Sequence, residues 1–403
     1  MTEMNGNPAS SRKLAEVCGS FLKLGLISFG GPVAHLSYLR AEFVKKRRWL
    51  DDVAYGDLVA LCQFLPGPAS SQVVFALGMR RAGLAGAISA SFFFTLPSAL
   101  IMIAFGYGVA AAGDLQGAGW LHGLKLAAVA VVAQAVWGMG RNLCPDRNRV
   151  SICLMSAALL LAFPGALFQI GVIAAGAAAG WCLYHRTIQA PVQAEKAGFR
   201  THLAAASALI VFLLFLAATP IVATATGLKS VAVFDSFYRA GSLVFGGGHV
   251  VLPLLRAEVV PHGWVTDDQF LAGYGAAQAI PGPLFTFSGF LGSVMTAGSA
   301  AWIWGVWCLF ATFLPAWLLV GGVLPFWDRL RSKAWTQAAL RGANAAVVGV
   351  LLAALYSPVI TEGVKGPWDV AMALLAFGLL EFWKVSSWIV VLLMAAAGQG
   401  ILL

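Results

Sequence analysis

The sequence predicts an all-α polytopic membrane protein made of two inverted repeats joined by a connecting helix. Three observations carry that prediction. Of the 403 residues, 60% are hydrophobic and 11% charged, less than half the charge of an ordinary soluble protein. Apolar stretches long enough to cross a bilayer recur along the chain. One stretch of some forty-five residues occurs twice.

Composition comes first. So little polar surface cannot coat a soluble globule of this size. The long apolar runs include Leu84–Val109, Leu121–Gly140, Leu203–Ala225 and Ala300–Leu324. No polar stretch is long enough for a soluble domain. The opening residues MTEMNGNPASSRKLAE lack the apolar core of a cleaved signal peptide. Six cysteines are scattered singly, with no CxxC or metal-ligand spacing, so reduced thiols and no metal are expected. In such a chain the net charge of +9 reads as orientation in the membrane, not as a nucleic-acid surface.

The repeat comes next. SFGGPVAHLSYLRAEFVKKRRWLDD…QFLPGPASS aligns with VFGGGHVVLPLLRAEVVPHGWVTDD…QAIPGPLFT. Phe29, Arg40 and Glu42 match Phe245, Arg256 and Glu258. One residue out of register, Trp49, Gln63 and Pro66-Gly67-Pro68 match Trp264, Gln278 and Pro281-Gly282-Pro283. Farther on, Pro97 matches Pro315, and LHGLKLAAVAVV resembles LRGANAAVVGVL. Shared hydrophobicity explains matched Leu and Ala, but not matched Arg, Glu, Trp, Gln and Pro. The expected organisation is a first repeat over 1–200, a connecting transmembrane helix over 201–228, and a second repeat over 229–403, with about six hydrophobic segments per repeat.

Charge indicates that the repeats are inverted. Residues 1–200 hold 17 basic and 9 acidic side chains, and residues 201–403 hold 9 and 8. KKRR at 45–48 and Arg80-Arg81 have no basic counterparts in the second half. Equivalent loops therefore face opposite sides under the positive-inside rule. Both basic clusters remain cytoplasmic if residues 54–78 form a re-entrant hairpin. An ordinary kinked span would place one of them outside.

The two PGP motifs lie inside apolar runs. Proline removes a donor and pushes the preceding residue out of the helical region. Broken backbone at membrane depth is tolerated only when buried in protein or lining a wet cavity. The helix that restarts presents amides without intrahelical partners at the positive end of its dipole, which suits an anion. Ser70 and Ser71 follow the first break, and Thr286 follows the second. Their hydroxyls add donors without charge. Inverted repeats would bring both helix starts toward one centre, near the bilayer midplane.

Other candidates keep two readings. The glycine breaks Gly30-Gly31 and Gly246-Gly247 supply free amides or close helix packing. Arg40 and Arg256 either fork an oxyanion or pair with Glu42 and Glu258. Lys125, inside an apolar run with Asn344 as its repeat partner, is functional by default or snorkels. His35 and His249 carry protons or line a polar pocket.

Together, the FGGP of the first half, the FGGGH of the second, RAE after each, and PGP inside Q-x-x-PGP resemble the chromate ion transporters in their long two-domain form. The resemblance runs from about Cys18 to about Tyr356. It implies a multi-pass protein of the bacterial inner membrane that exports chromate and confers resistance, with sulfate as a close competitor and no cofactor. The positions it implies are Gly30, Gly31, Arg40, Pro66, Gly67 and Pro68, with Gly246, Gly247, Arg256, Pro281, Gly282 and Pro283. Pro32 is replaced by Gly248 in the second half, so the resemblance does not imply equal roles.

The expected partners are chromate or a similar tetrahedral oxyanion and membrane lipid, with a homodimer compatible and no nucleic acid. A cell interior that is negative expels a dianion with roughly 4 to 5 kcal/mol per 100 mV, twice the single-charge value. The alternatives are an oxyanion channel, a sulfate-type carrier, and an intramembrane enzyme using Ser70 or Ser71 with His35. A non-enzyme is expected, and no Walker or HExxH motif is present.

Overall fold

The computed structural model describes residues 8–29, 31–111, 119–163, 166–185, 199–244, 251–296, 298–327 and 333–401. Among these residues the chain is helices and short turns, without a strand, so the protein is all-α. Five helices are long and apolar enough to cross a membrane. The chain is a multi-pass membrane protein.

The first half opens with α1 (Pro8–Ile27) and α2 (Gly31–Arg40). α3 (Asp52–Phe64) starts where the Asp51 carboxylate accepts the Ala54 amide at 2.8 Å and stops at the first PGP. α4 (Ala69–Ala111) is broken at Ala82 and Gly83, whose backbone is not helical. Its first arm is therefore 69–81, and its long arm is 84–111. α5 (Gly119–Leu143), α6 (Arg147–Ala162) and α7 (Ala166–Tyr184) complete this half.

α8 (Phe199–Thr226) connects to the second half. α9 (Lys229–Leu243) and α10 (Val251–Val259) follow. α11 (Asp267–Ala277) starts on a Thr266–Gln269 capping box and ends before the second PGP. A 3₁₀ turn at Leu284–Thr286 leads into α12 (Phe287–Val294). α13 (Ala300–Val323), α14 (Ala334–Ala354), α15 (Pro367–Glu381) and α16 (Ser387–Ile401) complete the chain. At 1.5 Å per residue, α3 and α11 are about 20 and 17 Å long, well short of a bilayer's apolar core of about 30 Å.

The halves are interleaved rather than side by side. Within each half, the first helix lies on the long helix: α1 on α4, and α9 on α13. Gly25 presses on the Phe94 carbonyl, where a Cβ would come within 2.6 Å, and Gly241 presses on the Thr312 carbonyl. Between halves, α5 packs on α15 and α16, while α14 packs on α6 and α7. Gly123 lies against the Met394 carbonyl and Gly342 against that of Gly176. Small residues permit such close helix contacts in membranes.

The long arm of α4 works as a ruler. Gly86 touches Gly78 on the first hairpin's outer arm, and Phe94 touches Gly25 next to the first glycine break. Ser98 touches Gly282, and Gly106 meets Phe290 and Ser293 of α12, the outer arm of a second hairpin made of α11, the PGP turn and α12. From the level of residues 94–98, the two hairpins thus extend toward opposite ends of α4. At the end where the first hairpin emerges, Glu16 of α1 accepts Arg47 Nη1 at 2.9 Å and Arg81 Nη2 at 2.5 Å. Both basic clusters flanking that hairpin are therefore gathered at one end.

Candidate functional site

Each PGP break meets the other half's chain at a residue just ahead of its FGG motif. Gly67 donates its amide to the Val244 carbonyl at 2.6 Å, and Gly282 donates to the Ser28 carbonyl at 2.8 Å. Ser28 and Val244 are repeat equivalents immediately before Phe29 and Phe245. Each half's PGP is thus anchored on the other half's chain. Gly67 (φ 124°) and Gly282 (φ 100°) occupy the positive-φ region that favours glycine. A Cβ on Gly67 would lie 2.6 Å from Gln72 Nε2, and one on Gly282 would lie 2.7 Å from Ser98 Oγ.

The first break is polar. Pro66 and Pro68 end α3 and start α4, and the amides of Ala69, Ser70 and Ser71 have no intrahelical acceptor by helix geometry. Gln72 reaches back with Nε2 to the Pro66 carbonyl at 2.7 Å. His35, 1% exposed, bridges the two breaks of this half. Its Nε2 is 3.0 Å from the Ser28 carbonyl and its Nδ1 is 3.4 Å from Ser70 Oγ. Because a carbonyl only accepts, Nε2 carries the proton, and Nδ1 of the neutral ring accepts from Ser70. Ser28 Oγ, Ser71 Oγ and Gln72 Oε1 are buried without a hydrogen-bond partner among the described residues. Unsatisfied buried polar atoms are unusual, and here three of them cluster around one helix start.

The second break is aromatic and its hydroxyls are bonded, although Gln278 Nε2 just ahead of it is buried without a hydrogen-bond partner among the described residues. Thr286 Oγ1 donates to the Pro283 carbonyl at 2.8 Å, and Ser288 Oγ donates to that of Phe285 at 2.5 Å. Phe285, Phe287 and Phe290, with Phe270 and Tyr274 of α11, fill the surroundings.

The charged candidates lie elsewhere. Arg40 ends α2, about 14 Å along the helix from its start. Its Nε donates to Asp52 at 2.6 Å, and the guanidinium holds that carboxyl below the usual carboxylate range. Arg256 forks Asp267 with Nε at 2.7 Å and Nη2 at 3.1 Å. Pairing with Glu42 and Glu258 is therefore corrected: the arginines reach across to the next helix start. Those glutamates meet Lys23 at 3.4 Å and Arg239 at 3.0 Å instead. Arg256 also lines a cavity of about 180 Å³ with Gln169 and Ser357. Lys125 reaches from the apolar run toward the half-exposed carboxylate of Asp268. The lysine is 5% exposed, and its Nζ meets Asp268 of the other half at 2.6 Å. Gly31 is the first residue of α2. Gly30, Gly246, Gly247 and His249 lie outside the described residues.

Sequence reasoning missed Ser28, Gln72, Ser98, Asp52 and Asp267. For the aspartates a signal existed, since Asp-Asp follows the matched Trp in both halves. Ser28 faces Val244 in the alignment and carried no repeat signal.

A model of the chromate transporter family matches residues 15–181 and again 231–399, one match on each half. The chain belongs to the chromate transporter family. Among its relatives, a chromate transport protein of Pseudomonas aeruginosa is 33% identical over 94% of this chain and 90% of its own length. A probable chromate transport protein of Synechococcus elongatus is 28% identical over 94% of this chain and 92% of its own length. An uncharacterized transporter of Bacillus subtilis matches 42% of this chain but 95% of its own length, at 28% identity. That relative is about as long as one half of this chain. No solved structure matches the chain.

Proposed function

We propose that this protein exports chromate, or a closely related tetrahedral oxyanion, from the bacterial cytoplasm across the inner membrane and so confers chromate resistance. The observation that carries this reading is the crossed docking of Gly67 on Val244 and Gly282 on Ser28. It brings two broken helices to one level with a helix start, unpartnered hydroxyls and a buried histidine beside them. A helix N-terminus with added hydroxyl donors is an anion site without fixed charge. Such a site can bind a dianion and release it again.

The inverted-repeat reading supports the same function. The two hairpins extend toward opposite ends of α4, so a rocking motion could open the crossing to either side. The half-length relative supports the duplication. The names of the full-length relatives support chromate as the cargo. Arg40 and Arg256, committed to aspartates, fit the rims of the two hairpins better than the binding centre.

Labelled chromate uptake into everted membrane vesicles tests the proposal. The expected result is saturable uptake, inhibited by sulfate, with counterflow when vesicles are preloaded. Uptake no greater than in vesicles lacking the protein would overturn export, and flux without counterflow would favour a channel.

A further inference from the structure

Two thiols outside the crossing have no part in the proposed transport. Cys144 follows the end of α5, and its amide donates to the Gly140 carbonyl at 3.0 Å. Cys153 lies on α6, where its carbonyl presses on Gly349 of α14. The two thiols belong to one small buried cluster. Both are mostly buried, against Ala345 and Val348 of α14. Both line a cavity of about 560 Å³ whose wall includes Arg141 and Trp137. Arg141 at the end of α5 and Arg147 and Arg149 at the start of α6 flank the turn, the basic composition of a cytoplasmic loop.

We infer that Cys144 and Cys153 form a dithiol that a hexavalent chromium oxyanion entering this cavity oxidises to an intramolecular disulfide. The inference rests on the proposed cargo for its oxidant. The cytoplasm otherwise keeps such thiols reduced, and the guanidinium at the cavity wall favours an oxyanion. One thiol replaces an oxygen on hydrogen chromate, forming an S–Cr bond and releasing water. The second sulfur attacks the first, the S–S bond forms, and the S–Cr bond breaks with its electron pair left on chromium. In total, two thiols and HCrO4⁻ give a disulfide, water and HCrO3⁻, with chromium reduced from Cr(VI) to Cr(IV). Cytosolic thiols reverse the change by exchange. The disulfide ties the α5–α6 turn to the helix on which α14 of the other half packs.

The full-length protein in everted vesicles provides the test. Trypsin cuts after Arg147 and Arg149, between the two cysteines, so a disulfide holds the fragments together until reduction. Exposed Cys182 lies on the same fragment as Cys153 and is replaced by serine. Chromate should remove two N-ethylmaleimide-reactive thiols together and yield joined fragments that dithiothreitol separates. In Cys144→Ser and Cys153→Ser variants the remaining thiol should keep its reactivity. Two thiols still reactive under chromate that consumes glutathione, or equal thiol loss in the single-serine variants, would overturn the dithiol. Transport read in the same vesicles separates the two readings. Transport without joined fragments sinks the dithiol, and joined fragments without transport sink the exporter alone.

Discussion

The two PGP breaks share a backbone and differ in what surrounds it. Around the first, Ser28 Oγ, Ser71 Oγ and Gln72 Oε1 are buried without partners among the described residues, and Ser70 faces His35. Around the second, Thr286 and Ser288 spend their hydroxyls on the carbonyls of their own turn, inside an aromatic cluster. The two halves therefore share a backbone geometry, and the oxyanion site proposed above draws on the polar atoms of the first break alone. The second break is tied to the first half by the Gly282 amide donating to the Ser28 carbonyl.

The largest expected effect comes from removing that geometry. Replacing Pro66-Gly67-Pro68 or Pro281-Gly282-Pro283 with three alanines relieves a helix interior of about 3 kcal/mol per proline and 1 per glycine. Helix should then run through and consume the free amides. Chromate transport should fall more than tenfold for either variant while membrane abundance persists. Wild-type transport by either one would reduce the breaks to packing features.

A smaller effect separates Lys125 from its partner Asn344. Lys125 has Asp268 to pair with, whereas the position equivalent to Asp268 in the first half is Val53. Asn344→Lys would place a cation without a carboxylate at a half-buried position, a cost on the order of 1–3 kcal/mol for an unsatisfied group. Its abundance and melting temperature should drop below those of Lys125→Asn. Equal stability of the two variants would show that the halves are not asymmetric here.

The arginines should show the smallest difference. Arg256 uses a two-pronged fork on Asp267, and Arg40 uses Nε alone on an exposed Asp52. Lysine cannot reproduce a fork. Arg256→Lys should lower transport a few-fold, and Arg40→Lys should be nearly silent. The reverse order would place Arg40 in contact with substrate.

Much of this was legible in the sequence. Long apolar runs specify the spanning helices, because bilayer thickness imposes one length on all of them. PGP is legible as a break because no helix tolerates it. The crossing was not, since Gly67 and Val244 are far apart in sequence and joined by backbone atoms that every residue possesses. Arg40 was misassigned to Glu42 because nearness in sequence is a poor guide on a helix, where side chains two apart do not face each other. Asp52 comes near only when the chain turns back into α3. Ser28 had no repeat partner to mark it, and its importance follows only from where the second PGP docks.

Equilibrium binding of labelled chromate to the purified protein tests the central asymmetry most directly. Two double variants are compared with wild type: Ser70→Ala with Ser71→Ala, and Thr286→Ala with Ser288→Ala. Hydrogen bonds to charged groups contribute about 1.5–3 kcal/mol each, so losing one or both donors at the first break should weaken binding roughly tenfold or more. The second pair, already bonded to its own backbone, should bind within about twofold of wild type. Equal losses in both variants, or a loss confined to the Thr286–Ser288 pair, would contradict an oxyanion held at the first break.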